Sequence, residues 1–276
     1  MPADPVHDPG LRLRAVFRSG RAVPGIAGGV VAGFLMLPIL VILPTAFTTG
    51  NFIGMPKDGV SLQWFARLVD DPAWLSAFLL SVRIAGTAAL LATVLGTAAS
   101  LGLTRLRRGS EPLRALMIAP LIVPYVVYAL GLADVVERLA VALDSTWPIV
   151  VGQAVLAFPL VFVVVSAGLS RVDPAQPRAA ESLGARWPTV VRRIELPAIR
   201  VHVVVAAVFA FAFCFDQVEV ALFLSTPSST TLPVLIFSTA REAASPVIGA
   251  ASIVVIAVAA LLAAVLAGVT RLGRTD

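Results

Sequence analysis

Long apolar stretches alternate with short polar segments along most of this chain. The first apolar stretch runs from Ile26 to Phe47. Later ones run from Leu75 to Leu103, Leu113 to Leu132, Pro148 to Leu169, Val201 to Leu224 and Pro246 to Val269. A helix rises about 1.5 Å per residue, so roughly 20 apolar residues cross a hydrocarbon layer of about 30 Å. The pattern therefore predicts an all-α membrane protein with six transmembrane helices. Pro38 and Pro44 are expected to kink the first span, and Pro120 and Pro124 to break the third; neighbouring helices tolerate such breaks. Gly86, Gly96 and Gly102 in the second span offer close helix contacts.

The polar segments differ in charge. Thr48–Trp74, Ala133–Trp147 and Ser225–Ser245 hold most of the acidic residues between spans, including Asp58, Asp70, Asp71, Asp134, Glu137 and Asp144. Ser61 to Phe65 is expected to begin an interfacial helix, with Trp64 and Trp74 at headgroup level. Sixteen of the twenty-one basic residues fall on the other side: Arg12, Arg14, Arg18, Arg21, Arg105, Arg107, Arg108, Arg114, Arg171, Arg178, Arg186, Arg192, Arg193, Arg200, Arg271 and Arg274. Arginine concentrates on the cytoplasmic side of spans, so both termini are expected to be cytoplasmic. The division is a tail over 1–24, a membrane domain over 25–270 with its core at about 60–270, and a tail over 271–276.

Composition agrees. The chain is 58% hydrophobic and 13% charged, against about 45–50% and 25% in soluble domains. A net charge of +5 raises nucleic acid as a partner, but the sorting of arginine to one face assigns that charge to the bilayer surface. The one cysteine, Cys214, excludes an internal disulfide. His7 and His202 lack ligand spacing, so no metal site is expected.

The longest polar segment is Arg171–Arg200, with six arginines. Asp173 followed by Pro174 reads as a helix start, an N-cap before a proline at the first helical position. Ala179, Ala180 and Leu183 share a face, and Gly184 suits the position that ends a helix. Trp187-Pro188 is expected to restart a short helix and Leu196-Pro197 to stop it.

Arg178-Ala179-Ala180, Gly184 and Ile194-Glu195-Leu196-Pro197 resemble the EAA loop of permease subunits of ABC importers, whose pattern is E-A-A-x3-G-x9-I-x-L-P. The resemblance implies an importer-permease (MetI-like) fold and a coupling loop over 171–200. Coupling helices dock in a groove of a separate ATP-hydrolysing subunit, through Arg178, Ala179, Ala180, Glu181, Gly184, Ile194, Leu196 and Pro197. The family's first Glu is Arg178 here, with an acid at Glu181 instead. The implied partners are a second permease subunit, a dimer of ATP-binding subunits and a solute-binding protein at a bacterial inner membrane. ATP and Mg would be bound by the ATPase; the chain has no G-x4-G-K followed by Ser or Thr, and no cofactor is expected in it.

Three ionisable residues fall inside the predicted spans: Arg83, Asp216 and Glu219. A charge in hydrocarbon costs at least about 2.5–3.5 kcal/mol, so it needs a partner or water. Asp216 and Glu219 are spaced to share a helix face, and counting from the span ends puts Arg83 at the depth of Asp216. Two readings stand: a structural Arg83–Asp216 pair, or an acidic lining for a cationic substrate. Tyr125 and Tyr128 follow the third-span prolines. They either stack on alkylammonium groups or pack with a hydrogen-bonded hydroxyl.

The run from Phe215 to Leu224, then Thr231-Leu232-Pro233-Val234 and Ser245-Pro246, resembles the second permease subunit of spermidine/putrescine importers. Relatives of that group handle aminoethylphosphonate, opines and ferric iron. Other classes fare worse. An intramembrane hydrolase needs a nucleophile and base at a common depth, and no span serine has a histidine to pair with. An autonomous channel or secondary carrier has no use for a coupling loop.

Overall fold

The computed structural model describes residues 27–37, 39–56, 59–106, 110–139, 146–242 and 245–272. Among them secondary structure is helical, apart from one isolated bridge between Thr48 and Val60. Among the described residues five helices are long and apolar enough to cross a membrane: α1 (Ala27–Thr45), α3 (Pro72–Leu103), α6 (Trp147–Leu169), α9 (Leu196–Asp216), which closes the helical stretch Trp187–Asp216, and α12 (Val247–Leu272). The sixth passage is a bent pair. Its first arm is α4 (Ser110–Ile118) and a 3-10 turn at Ala119–Leu121; its second is α5 (Tyr125–Arg138), and the arms meet at 93°.

Prolines set that bend. Pro120 lies in the 3-10 turn and Pro124 caps α5. Each removes an N–H, and its ring clashes with the preceding turn. The predicted break is therefore present, and it is closer to a right angle than a kink. Pro38 and the tail 1–24 lie outside the described residues, as do Lys57, Asp58, Arg107, Arg108, Asp144 and Arg274.

The core is the three-helix contact of α3, α6 and α9. Small residues make it possible. Ala85, Ala88 and Ala92 of α3, Ala157 of α6 and Ala206 and Ala210 of α9 are fully buried. Without large side chains between them, the helix backbones approach closely. Ser100 reinforces the α3–α6 seam: its hydroxyl donates to the Phe162 carbonyl at 3.2 Å and accepts from Ser166 at the same distance. Of the three predicted contact glycines only Gly96 is one. A Cβ at Gly86 or Gly102 would meet nothing within 4 Å, because those positions face away from the seam.

α2 (Gln63–Asp70) forms where the sequence predicts, but not as a surface helix with interfacial tryptophans. Trp64 is 4% exposed and its indole N–H donates to the Thr48 carbonyl at 2.9 Å. Trp74 is buried as well. Both rings are consumed by folding the Thr48–Trp74 segment onto the bundle. Asp71 accepts from the Ala73 N–H at 2.9 Å with Pro72 in the first turn of α3, so α3 starts before the predicted Leu75.

The fifth span departs most from expectation. Pro197 does not stop a helix. α8 (Trp187–Val190) runs through a π-turn at Val191–Glu195 into α9 (Leu196–Asp216). The π-turn lets the Leu196 N–H reach back to the Val191 carbonyl. Pro197, lacking an N–H, then occupies the first turn of α9, where none is required. At the other end the span breaks. Gln217 is extended, with ψ 107, and a separate α10 (Glu219–Leu224) follows. The following segment holds α11 (Leu232–Glu242), whose first N–H donates to the Ser81 hydroxyl of α3 at 2.8 Å.

Candidate functional site: coupling loop and span break

The loop between α6 and α9 is a capped helical hook. α7 (Ala175–Ser182) begins after Asp173, whose carboxylate accepts from the Ala175 N–H at 2.9 Å. It ends in two bonds that satisfy its last carbonyls: Gly184 N–H to Glu181 at 2.9 Å and Ala185 N–H to Ala180 at 3.0 Å. This pairing needs a left-handed residue at position 184, and Gly184 has φ +88.

The hook leaves two large apolar side chains open among exposed arginines. Leu183 is 89% exposed and Trp187 48% exposed. Arg178, Ala179, Gly184, Leu196 and Pro197 are exposed, while Ala180 and Ile194 are half-buried. The residues named from sequence thus run from α7 to the first turn of α9, most of them exposed. Glu181 points inward to an ion pair with Arg105, which follows the end of α3. Arg105 also reaches Glu195 of the π-turn at 3.3 Å. Sequence reading recognised the charges but not this node. Only the fold brings residues 76 and 90 positions apart in sequence together.

The second polar region lies at the break between α9 and α10. Asp216 is the last residue of α9 and is exposed; Glu219 opens α10 and is half-buried. The extended Gln217 between them removes the continuous helix on which a shared face depended. An acid at a helix C-terminus meets the negative end of the helix dipole, so local helix energetics do not favour Asp216.

The Arg83–Asp216 pair does not exist. Ion pairs among the described residues are Arg105 with Glu181 and Glu195, and Arg138 with Asp134. Arg83 instead lines a groove of about 570 Å³ with Ser76, Ser228 and Thr230. The longer α3 and the early end of α9 upset the depth count that had matched the two charges.

The tyrosines pack. The Tyr128 hydroxyl donates to the Gly152 carbonyl at 3.1 Å, and the Tyr125 ring meets Phe213 edge-on at 5.9 Å. Beside the break, Gln153 and Gln217 are buried at 2% and 5% exposure. Gln153 Oε1, Gln217 Nε2 and Thr231 Oγ1 lack partners among the described residues. Polar amides inside apolar spans are the signal that sequence reading passed over.

No cluster of three or more His, Cys, Asp or Glu able to hold a metal occurs among the described residues.

This bundle has the fold of ABC importer membrane subunits. It resembles a chain of a bacterial ABC transporter involved in import of the acidic polysaccharide alginate. The TM-score is 0.72 at 14% identity, over 94% of this chain and 99% of that one. An amino acid ABC transporter gives 0.55 at 17% identity, over 74% and 97%. Residues 92–274 match the binding-protein-dependent transport system inner membrane component family, and the chain belongs to it. Among curated relatives it is 34% identical to the putrescine transport system permease protein PotI of Escherichia coli, over 79% of each chain. It is 28% identical to the spermidine/putrescine permease PotC of Haemophilus influenzae, over 88% of this chain and 94% of that one. A putative 2-aminoethylphosphonate permease, PhnV of Salmonella paratyphi A, also matches at 28%, over 88% and 92%.

Proposed function

We propose that this chain is the permease subunit of a polyamine importer and forms half of its translocation path. The observation that carries the substrate reading is its 34% identity over 79% of the chain to a putrescine permease. The two carboxylates at the span break, Asp216 and Glu219, fit it, since a polyamine carries its charge on ammonium groups that a carboxylate attracts.

The other half of the path is a second permease subunit. A solute-binding protein delivers substrate to the face opposite the hook. Two ATP-binding subunits, holding ATP and Mg, dock on the exposed face from Arg178 to Pro197. Their closure pushes α7 and rocks the bundle, which opens the path outward and then inward. The chain itself does no covalent chemistry. The arginine distribution supports an inner-membrane orientation with both termini in the cytoplasm.

The test is uptake of labelled putrescine in a strain stripped of other polyamine importers, with and without this chain. Chain-dependent uptake that excess aminoethylphosphonate leaves unchanged supports the proposal. Aminoethylphosphonate uptake without putrescine uptake overturns it in favour of the phosphonate reading, which the PhnV relative supports.

A further inference from the structure

We propose that Arg105 is the positioning residue through which the coupling helix and the membrane bundle move as one unit. Three elements meet at its guanidinium. Arg105 lies just past the C-terminus of α3. One Nη bonds Glu181 on α7, and the other lies 3.3 Å from Glu195 in the π-turn at the base of α9. A planar fork with fixed donors suits such a bridge, where an ammonium acts only as a point charge.

The fork is needed because α7 has little else to pull on. No residue of α7 is buried. A helix without buried side chains has few packing contacts through which to pass a displacement. Its main contacts besides are with α8 and the π-turn. Through Arg105, a push on α7 acts on α3 and α9 together, and these helices form two sides of the core.

The other end of the bridge is firm. The Glu195 side chain is 7% exposed, and its Oε2 and the Arg105 Nε are both buried with no partner among the described residues. Each group therefore depends on the other, since breaking such a node strands a buried charge. Glu181 is the exposed, yielding member, with 38% side-chain exposure. That asymmetry separates the two roles: Glu195 secures Arg105 to the bundle, and Glu181 is the link to the moving helix.

The inference rests on the reading that α7 docks an ATPase. The test uses the assembled transporter in lipid nanodiscs, compared with Glu181→Gln, Arg105→Lys and the double variant Arg105→Gln/Glu195→Gln. Hydrogen exchange is followed across Ala175–Ser182, the end of α3 and the start of α9, before and after trapping with ATP and vanadate. In the parent complex, trapping alters exchange in all three segments. In the double variant, whose Glu195 is buried away from the docking face, the ATPase still co-purifies; in it and in Glu181→Gln, α7 exchanges about tenfold faster, as expected for a helix that has lost its side-chain tie to α3. The trapping response then stops at α7. Arg105→Lys falls between.

The double variant removes both charges of the Arg105–Glu195 contact, so it separates lost tethering from a stranded carboxylate. If it or Glu181→Gln passes the response to α3 and α9 as the parent does, Arg105 is merely structural and the proposal is wrong. A parent complex that holds no ATPase overturns the docking reading and this inference with it, an outcome distinguishable from a failed tether.

Discussion

Gly96 and Val161 touch where α3 crosses α6. A Cβ on Gly96 would lie 2.8 Å from Val161 Cγ1 and 3.2 Å from the backbone nitrogen of Phe162. Neither neighbour is the free end of a flexible side chain. Gly96→Ala should therefore push the two helices apart and cost about 1–3 kcal/mol, as overpacking does. Thermal unfolding in detergent reads this directly. Gly86→Ala serves as the control. Nothing lies within 4 Å of that position, and its melting temperature should not fall.

Gly184→Asp tests the hook. The position has φ +88 and no neighbour within 4 Å of an added Cβ. The local cost is thus conformational, about 1 kcal/mol, and the new carboxylate projects from an exposed face. The variant permease should fold and insert normally, while co-purification of the ATP-binding subunits drops. Normal co-purification with normal ATP hydrolysis would show that the face from Arg178 to Pro197 is not the docking surface.

Asp216→Asn should act on transport and not on assembly. Asp216 holds no ion pair with Arg83, so neutralising it strands no charge. The KM for putrescine should rise roughly tenfold, the equivalent of about 1.4 kcal/mol, with complex yield unchanged. A loss of assembly at constant KM would assign Asp216 a structural role.

Tyr128→Phe separates packing from recognition. Its hydroxyl bonds the Gly152 carbonyl, where the helices are so close that a Cβ on Gly152 would lie 2.5 Å from Leu132 Cδ2. Losing that bond should lower stability by about 0.5–1.5 kcal/mol and leave the KM for putrescine as it was. A raised KM with unchanged melting would place Tyr128 in the path.

Much of the hook was legible in the sequence because its determinants are local. Asp173, Pro174 and Gly184 act within a few residues of themselves, and α7 lies between them as expected. The π-turn before Pro197 was not legible. A proline after an apolar residue reads as a stop, and whether the helix widens to admit it depends on what holds the flanking turns. Here the buried Val190 and Ile199 and the Arg105–Glu195 contact hold them.

The sequence by itself determined that this is a six-span helical membrane protein with one long basic loop, because span length and apolar content are properties of single segments. It also placed the proline break of the third passage. The tertiary structure alone decided which polar residues meet. Arg83 and Asp216 are apart and Arg105 and Glu181 are together, although charge type favours both pairs equally. The difference lies in where α3 begins and α9 ends, and those boundaries follow from capping, from the break at Gln217 and from the packing of small residues across three helices. Depth and register across helices are collective quantities, and no single stretch of chain encodes them.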